Sequence, residues 1–195
     1  MAYRFASLSL AGSFLSIAFT VALPLDAQAH FVPAPCDFIT GGGFVFKDDG
    51  NMVNFGAHGG CKNGEFWGNF NVIDHENNFQ MKAEQITGYL FDPAQPNGRD
   101  ICGWARINNA DNLVQFRMRL NDNGEPGTKD SFGIVIDNQH TAGERFYKVS
   151  VRLLANGDGG GGNIQLHKSN PSNTLQEGFF SLTETQMCGD LDRPD

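Results

Sequence analysis

Leu113-Val114-Gln115-Phe116-Arg117-Met118-Arg119-Leu120-Asn121-Asp122 alternates apolar and polar residues almost without a slip. This is the two-residue period of a strand with one buried face, because successive side chains point to opposite faces of a sheet. Val114, Phe116, Met118 and Leu120 are read as inward, and Gln115, Arg117, Arg119 and Asn121 as outward. The strand runs into Asp122-Asn123-Gly124-Glu125-Pro126-Gly127-Thr128-Lys129-Asp130, where Asn-Gly and Pro-Gly supply the backbone conformations of a turn. Beyond it Phe132, Ile134 and Ile136 alternate again, which makes two antiparallel strands joined by a turn.

Upstream, Phe38 to Phe46, Met52 to His58, Glu65 to Asp74 and Arg99 to Ile107 read as strands. Gly41-Gly42-Gly43 lies inside the first and marks a bulge, a bend or a close backbone approach. Asn78 to Ala83 and Ile86 to Phe91 read as two weaker strands with a break between them, the alternative being a short helix over Met81 to Ile86. Downstream, Phe146 to Leu154 and Asn163 to Lys168 flank a run from Asn156 to Gly162 that is nearly all glycine. The expectation is all-β: about ten strands in an antiparallel meander that curls into a closed or nearly closed barrel, with a two-sheet sandwich as the alternative. Residues 30–168 form the single β-domain, and residues 169–195 a polar tail. The 24 glycines and 17 phenylalanines fit many turns around an aromatic core.

Residues 1–29 read as a signal peptide: Arg4, an uncharged apolar run from Leu8 to Leu23, and Ala27-Gln28-Ala29 as a cleavage site. No second hydrophobic segment follows, so the mature chain is expected to be secreted or periplasmic, with no membrane attachment after cleavage. A net charge of −8 argues against nucleic acid as a partner, since phosphate would be repelled. Four cysteines in an exported chain read as two disulfides. Cys36–Cys61 is the expected pair, both being placed at the rim opposite the Asp122 to Asp130 turn, and Cys102–Cys188 follows by elimination and pins the tail.

In a ten-strand meander the odd-numbered strands end at one rim. Asp48-Asp49, Asp74-His75-Glu76, the Asp122 to Asp130 turn and Gly157 to Gly162 would collect there, with Asp74, Asp122 and Asp130 pointing inward. Three readings of the turn follow. It is a hairpin whose aspartates satisfy loose N–H groups. It is a calcium site built from Asp122, Glu125 and Asp130, although the spacing is not that of an EF-hand. Or, joined with Asp74 and His75, it is an acid/base cluster. Asn163, Gln165 and His167 make a polar stripe on the face opposite Ile164 and Leu166. Trp67 and Trp104 read as core, with stacking on sugar rings as the functional alternative. There is no HExxH, no G-x-S-x-G and no phosphate loop.

Thr40-Gly41-Gly42-Gly43, Asp74-His75, Asn78-Phe79, Asp122 to Gly127 with Asp130 and Phe132, and Gly162-Asn163-Ile164-Gln165-Leu166-His167 together resemble the post-COAP domain. That module occurs in exported bacterial and archaeal proteins, often behind choice-of-anchor domains. The resemblance spans Phe38 to Lys168 and implies an extracytoplasmic β-domain without an established activity. The four cysteines, the longer tail and the expectation that the domain stands alone depart from that pattern. The leading functional expectation is a secreted domain that binds a cell-surface component or polysaccharide, or serves surface structure. The runner-up is a hydrolase or isomerase using the acidic rim. No cofactor is expected other than the candidate calcium.

Overall fold

The computed structural model describes residues 31–76, 78–137, 147–154 and 159–194. The signal peptide, Phe146 and part of the glycine run lie outside the described residues. Among the described residues nine strands follow in order: β1 Phe38–Phe46, β2 Met52–Lys62, β3 Glu65–Asp74, β4 Phe79–Asp92, β5 Gln95–Ile107, β6 Leu113–Asn121, β7 Ser131–Asp137, β8 Tyr147–Leu153 and β9 Gly161–His167. A 3-10 turn at Glu177–Ser181 and the short helix α1, Glu184–Cys188, complete the chain. The strands form one antiparallel sheet in the order β8-β7-β6-β5-β4-β3-β2-β1-β9, curled into a roughly closed barrel.

The alternating residues of β6 face inward as the pattern requires, and the lumen is filled. Phe55 on β2 stacks on Phe132 of β7 with ring centroids 4.1 Å apart, and Phe70 on β3 meets Phe116 of β6 edge-on at 4.5 Å. None of these four rings is more than 5 % exposed. The paired strands are not sheet neighbours, so the rings meet across the barrel. Each contributes about 2–3 kcal/mol of burial. Ile101 on β5 reaches across to Gly59 on β2, where a Cβ would lie 2.6 Å from the Ile101 side chain. Glycine there lets opposite walls approach.

Two expectations need correction. The chain from Phe79 to Asp92 is one strand, not two strands with a break, and not a helix over Met81 to Ile86. Its pairing with β5 shifts register between Ala83 and Gln85 and again between Ile86 and Gly88. Each extra residue disturbs the alternation without ending the strand, and two such slips imitate a boundary. With one strand fewer, the direction of every later strand reverses relative to the count of ten. The Asp122 to Asp130 turn therefore lies at the end of the barrel opposite Asp74, and at the same end as Cys36 and Cys61.

The outward reading of β6 holds, and the C-terminal segment adds a cover to that face. Arg117 and Arg119 point outward from β6 but are each only 2 % exposed, because the C-terminal segment covers them. Disulfides join Cys36 to Cys61 and Cys102 to Cys188, as expected from the sequence. The second pins α1 against β5. Thr183 caps α1 by a capping box with Gln186. Met187 packs over Gly88, and Thr87 donates to the Met187 carbonyl at 2.6 Å. The segment ends on β8, where the Val151 N–H donates to the Pro194 carbonyl at 2.6 Å. No helix among the described residues is long and apolar enough to cross a membrane.

Candidate functional site

β9 pairs antiparallel with β1 and therefore runs in the same direction as β8, the strand before it. Among the described residues no ladder joins β8 to β9, so one side of β9 carries N–H groups that no described strand satisfies. An unpaired row of this kind is costly when buried and prone to mispairing when exposed. The Asp122 to Asp130 turn fills the gap. Asp130 Oδ2 accepts from the Ile164 N–H at 2.7 Å, and Asp122 Oδ2 accepts from the Leu166 N–H at 2.8 Å. The second oxygen of each carboxylate organises the turn itself. Asp130 Oδ1 accepts from the Asn123 N–H at 2.8 Å, and Asp122 Oδ1 from the Gly124 N–H at 3.0 Å.

The local sequence produces this shape directly. Gly124 at φ 99° and Gly127 at φ 77° occupy the left-handed region, which glycine enters without steric cost. At Gly127 the backbone passes so close to Asn163 and the Gly162 carbonyl that a side chain would collide with β9. Glu125 Oε1 accepts from Asn163 Nδ2 at 3.2 Å at the exposed edge. Asp130 is fully buried, and its carbonyl also accepts from the Leu154 N–H at 2.8 Å, which anchors the end of β8 to the same seam.

Asp122, Glu125, Asp130 and Asn163 are thus brought together. His167 lies near Asp122 across a shallow depression, stacked on Phe38 at 4.4 Å with its Nε2 2.9 Å from Thr40 Oγ1. Asp74 and His75 are at the other end. The joint acidic rim that the acid/base reading required is therefore not formed. The oxygens of the candidate calcium ligands Asp122, Glu125 and Asp130 point at N–H donors of the seam. Among the described residues no group of three or more His, Cys, Asp or Glu side chains is arranged to hold a metal.

Three polar clusters were not legible as clusters in the sequence. At the far end, fully buried Asp74 accepts from Lys47 Nζ at 2.8 Å and from the Tyr147 hydroxyl at 3.1 Å, and Tyr147 stacks on Phe79 at 4.6 Å. Burial and then the Asp74 charge push the Tyr147 hydroxyl up, so it remains a donor. Burial works to lower Lys47, but hydrogen bonds to Asp74 and Asp49 outweigh it and raise Lys47 above its ordinary value. At the near end, Arg99 points into the barrel and is held by Asp37 at 3.0 and 2.5 Å. The Tyr89 hydroxyl donates to the same carboxylate at 2.7 Å. Burial and then Asp37 hold Tyr89 well above its usual range. Each end of the apolar lumen is thus closed by a tyrosine, an aspartate and a cation.

The third cluster lies under the tail. Asp100 Oδ2 accepts from Arg117 at 2.9 and 2.5 Å, and Asp100 Oδ1 accepts from Arg119 at 2.6 Å. Arg117 also reaches Glu184 at 2.6 Å and the Leu191 carbonyl at 3.1 Å. Burial works to raise Asp100, and the two guanidinium groups overcome it and hold the carboxyl below its usual value. The signal was present in part: a charged residue at the inward position of Arg99, next to Ile101 and Gly103, demanded a partner. The chain matches no family model, no curated protein and no solved structure.

Proposed function

We propose that the chain is an exported, disulfide-tied β-domain that acts through its outer surface, binding a cell-surface component or polysaccharide. The observation that carries this reading is the filled lumen. Phe55, Phe70, Phe116 and Phe132 close the barrel across its middle, and tyrosine clusters close both ends. A substrate-sized ligand has no room inside, so recognition falls to the outside. Two disulfides support an oxidising compartment, where such bonds persist. The resemblance to the post-COAP domain points the same way.

Co-sedimentation tests the reading. Mature protein is mixed with insoluble cellulose, chitin, xylan and isolated bacterial cell walls. Depletion from the supernatant with at least one of them is the expected result. Release of reducing ends without retention would instead move the protein to the hydrolases.

A further inference from the structure

Asparagine followed by glycine occurs four times in the chain, at Asn63, Asn97, Asn123 and Asn156, and the last of these lies outside the described residues. Such a pair is chemically labile. Glycine has no Cβ to keep its backbone nitrogen away from the preceding side chain, so that nitrogen can close on the asparagine Cγ. A bond forms between the glycine nitrogen and Cγ, the Cγ–Nδ2 bond breaks, and ammonia leaves with the proton lost from the glycine amide. Water then opens the five-membered imide at one of its two carbonyls and leaves aspartate or isoaspartate. Neither an oxidant nor a cofactor enters the step. The attacking group is the glycine N–H, so what that N–H is bonded to decides which asparagine reacts.

Two of the pairs are held. The Gly64 N–H donates to the Thr174 carbonyl at 3.0 Å, beside the bridge between Gly64 and Leu175. The Gly124 N–H donates to Asp122 Oδ1 at 3.0 Å, and Asn123 Nδ2 donates to the Lys129 carbonyl at 2.8 Å. The pair at Asn97 is placed differently. The Asp122 N–H donates to the Asn97 carbonyl at 3.1 Å, so Asn97 turns its backbone groups towards β6. One residue on, the Gly98 N–H faces the other way, towards β4. There the ladder passes from Leu90–Asp100 to Asp92–Gln95, and residues 96–99 bulge away without ladder partners on β4. Arg99 Nη1 donates to the Pro96 and Gly98 carbonyls at 2.7 and 2.6 Å, which shapes the bulge through its acceptors. Asn97 itself is exposed. A larger residue after it, which would slow the attack, is excluded because a Cβ at Gly98 would collide with Asn121 Oδ1.

We infer that Asn97 is a spontaneous deamidation site, a one-way change that adds a third carboxylate to the near-end depression already lined by Asp37 and Asp122. The isoaspartate product alters the seam as well. Its main chain runs through Cγ, and the carbonyl that accepted from the Asp122 N–H becomes the free carboxylate. Asp122 thus touches two of the pairs: its N–H donates to Asn97, and its Oδ1 holds the Gly124 N–H and protects Asn123.

Peptide mapping by mass spectrometry tests the site on the mature protein, aged in the folded state in mildly alkaline buffer and sampled over time. Asn97 converts about tenfold faster than Asn63 and Asn123, the rate equivalent of the hydrogen bond that holds each of the other glycine amides. The same ageing in urea, where no amide is held, brings the three rates together. Asn97→Gln, whose longer side chain closes the ring poorly, keeps the melting temperature and lacks the acidic species that the map assigns to Asn97. Asp122→Ala frees the Gly124 N–H and speeds conversion of Asn123 about tenfold, while Asn63 keeps its rate. Conversion of Asn97 no faster than that of Asn63 and Asn123 in the folded wild type overturns the site, whatever Asp122→Ala does. Rates that keep their order and spacing in urea trace the difference to local sequence and overturn the structural argument. An unchanged Asn123 rate in folded Asp122→Ala overturns protection by a held N–H.

Discussion

Asp130 and Asp100 are both buried to within 1 % of full exclusion, yet the fold uses them for opposite purposes. Asp130 sits at the seam and faces backbone N–H groups of Asn123 and Ile164. Asp100 sits under the tail and faces two guanidinium groups. At the seam the problem is a strand edge with no neighbour, and a carboxylate can accept what a missing strand would have accepted. Under the tail the problem is charge: two arginines on an outward face that the C-terminal segment then covers. A carboxylate among dipoles is a substitute for backbone. A carboxylate among cations is a counterion, and its removal leaves charge uncompensated in a dry place.

The largest effect is therefore expected at the counterion. Asp100→Ala should cost about 3–5 kcal/mol in urea unfolding at pH 7, since it removes the buried carboxylate that Arg117 and Arg119 share. The pH dependence follows from the depressed Asp100 value. A carboxyl whose folded value lies below the ordinary 3.8 stabilises fully above that ordinary value and loses the contribution as pH falls through the folded one. The gap between wild type and Asp100→Ala should thus close only in strong acid, and a gap that closes near neutrality would show that Asp100 is not the counterion. Next comes the clamp on that region. Replacing Cys102 and Cys188 together by serine should cost about 2–4 kcal/mol and expose the tail to limited proteolysis, while the β1–β2 hairpin stays resistant.

At the seam the effects are smaller because each interaction is a single hydrogen bond. Asp130→Asn turns one acceptor into a donor facing another donor and should cost about 2 kcal/mol; Asp122→Asn, partly exposed, should cost about 1 kcal/mol. Equal losses at Asp100 and Asp130 would erase the distinction drawn between them. The smallest expected effect concerns calcium. With Asp122, Glu125 and Asp130 engaged by N–H donors, a chelator should move the melting temperature by less than about 1 °C, whereas a shift of several degrees would assign those oxygens to an ion.

Much of this arrangement was legible in the sequence because the period of two survives in β6 and β7 and in the first three strands. β4 was misread for a physical reason. The register slips at Ala83/Gln85 and Ile86/Gly88 break the alternation while the ladder continues. One miscounted strand placed Asp122 beside Asp74 when they are at opposite ends. The disulfide pairing came out correctly although the stated geometry did not, since Cys36 and Cys61 share the end of the turn. Arg117 and Arg119 read as outward, which they are, because alternation reports which side of a sheet a residue is on. It cannot report that a distant segment, tied by Cys188, lies over that side.

The central claim is that the Asp122 to Asp130 turn takes the place of a strand beside β9. Amide hydrogen exchange at Ile164 and Leu166 tests it most directly. Both N–H groups should be protected like core amides in the wild type, and Asp130→Asn should release Ile164, and Asp122→Asn Leu166, while the β1–β2 ladder keeps its protection. Fast exchange at both residues in the wild type, or protection unchanged by either substitution, would contradict the account.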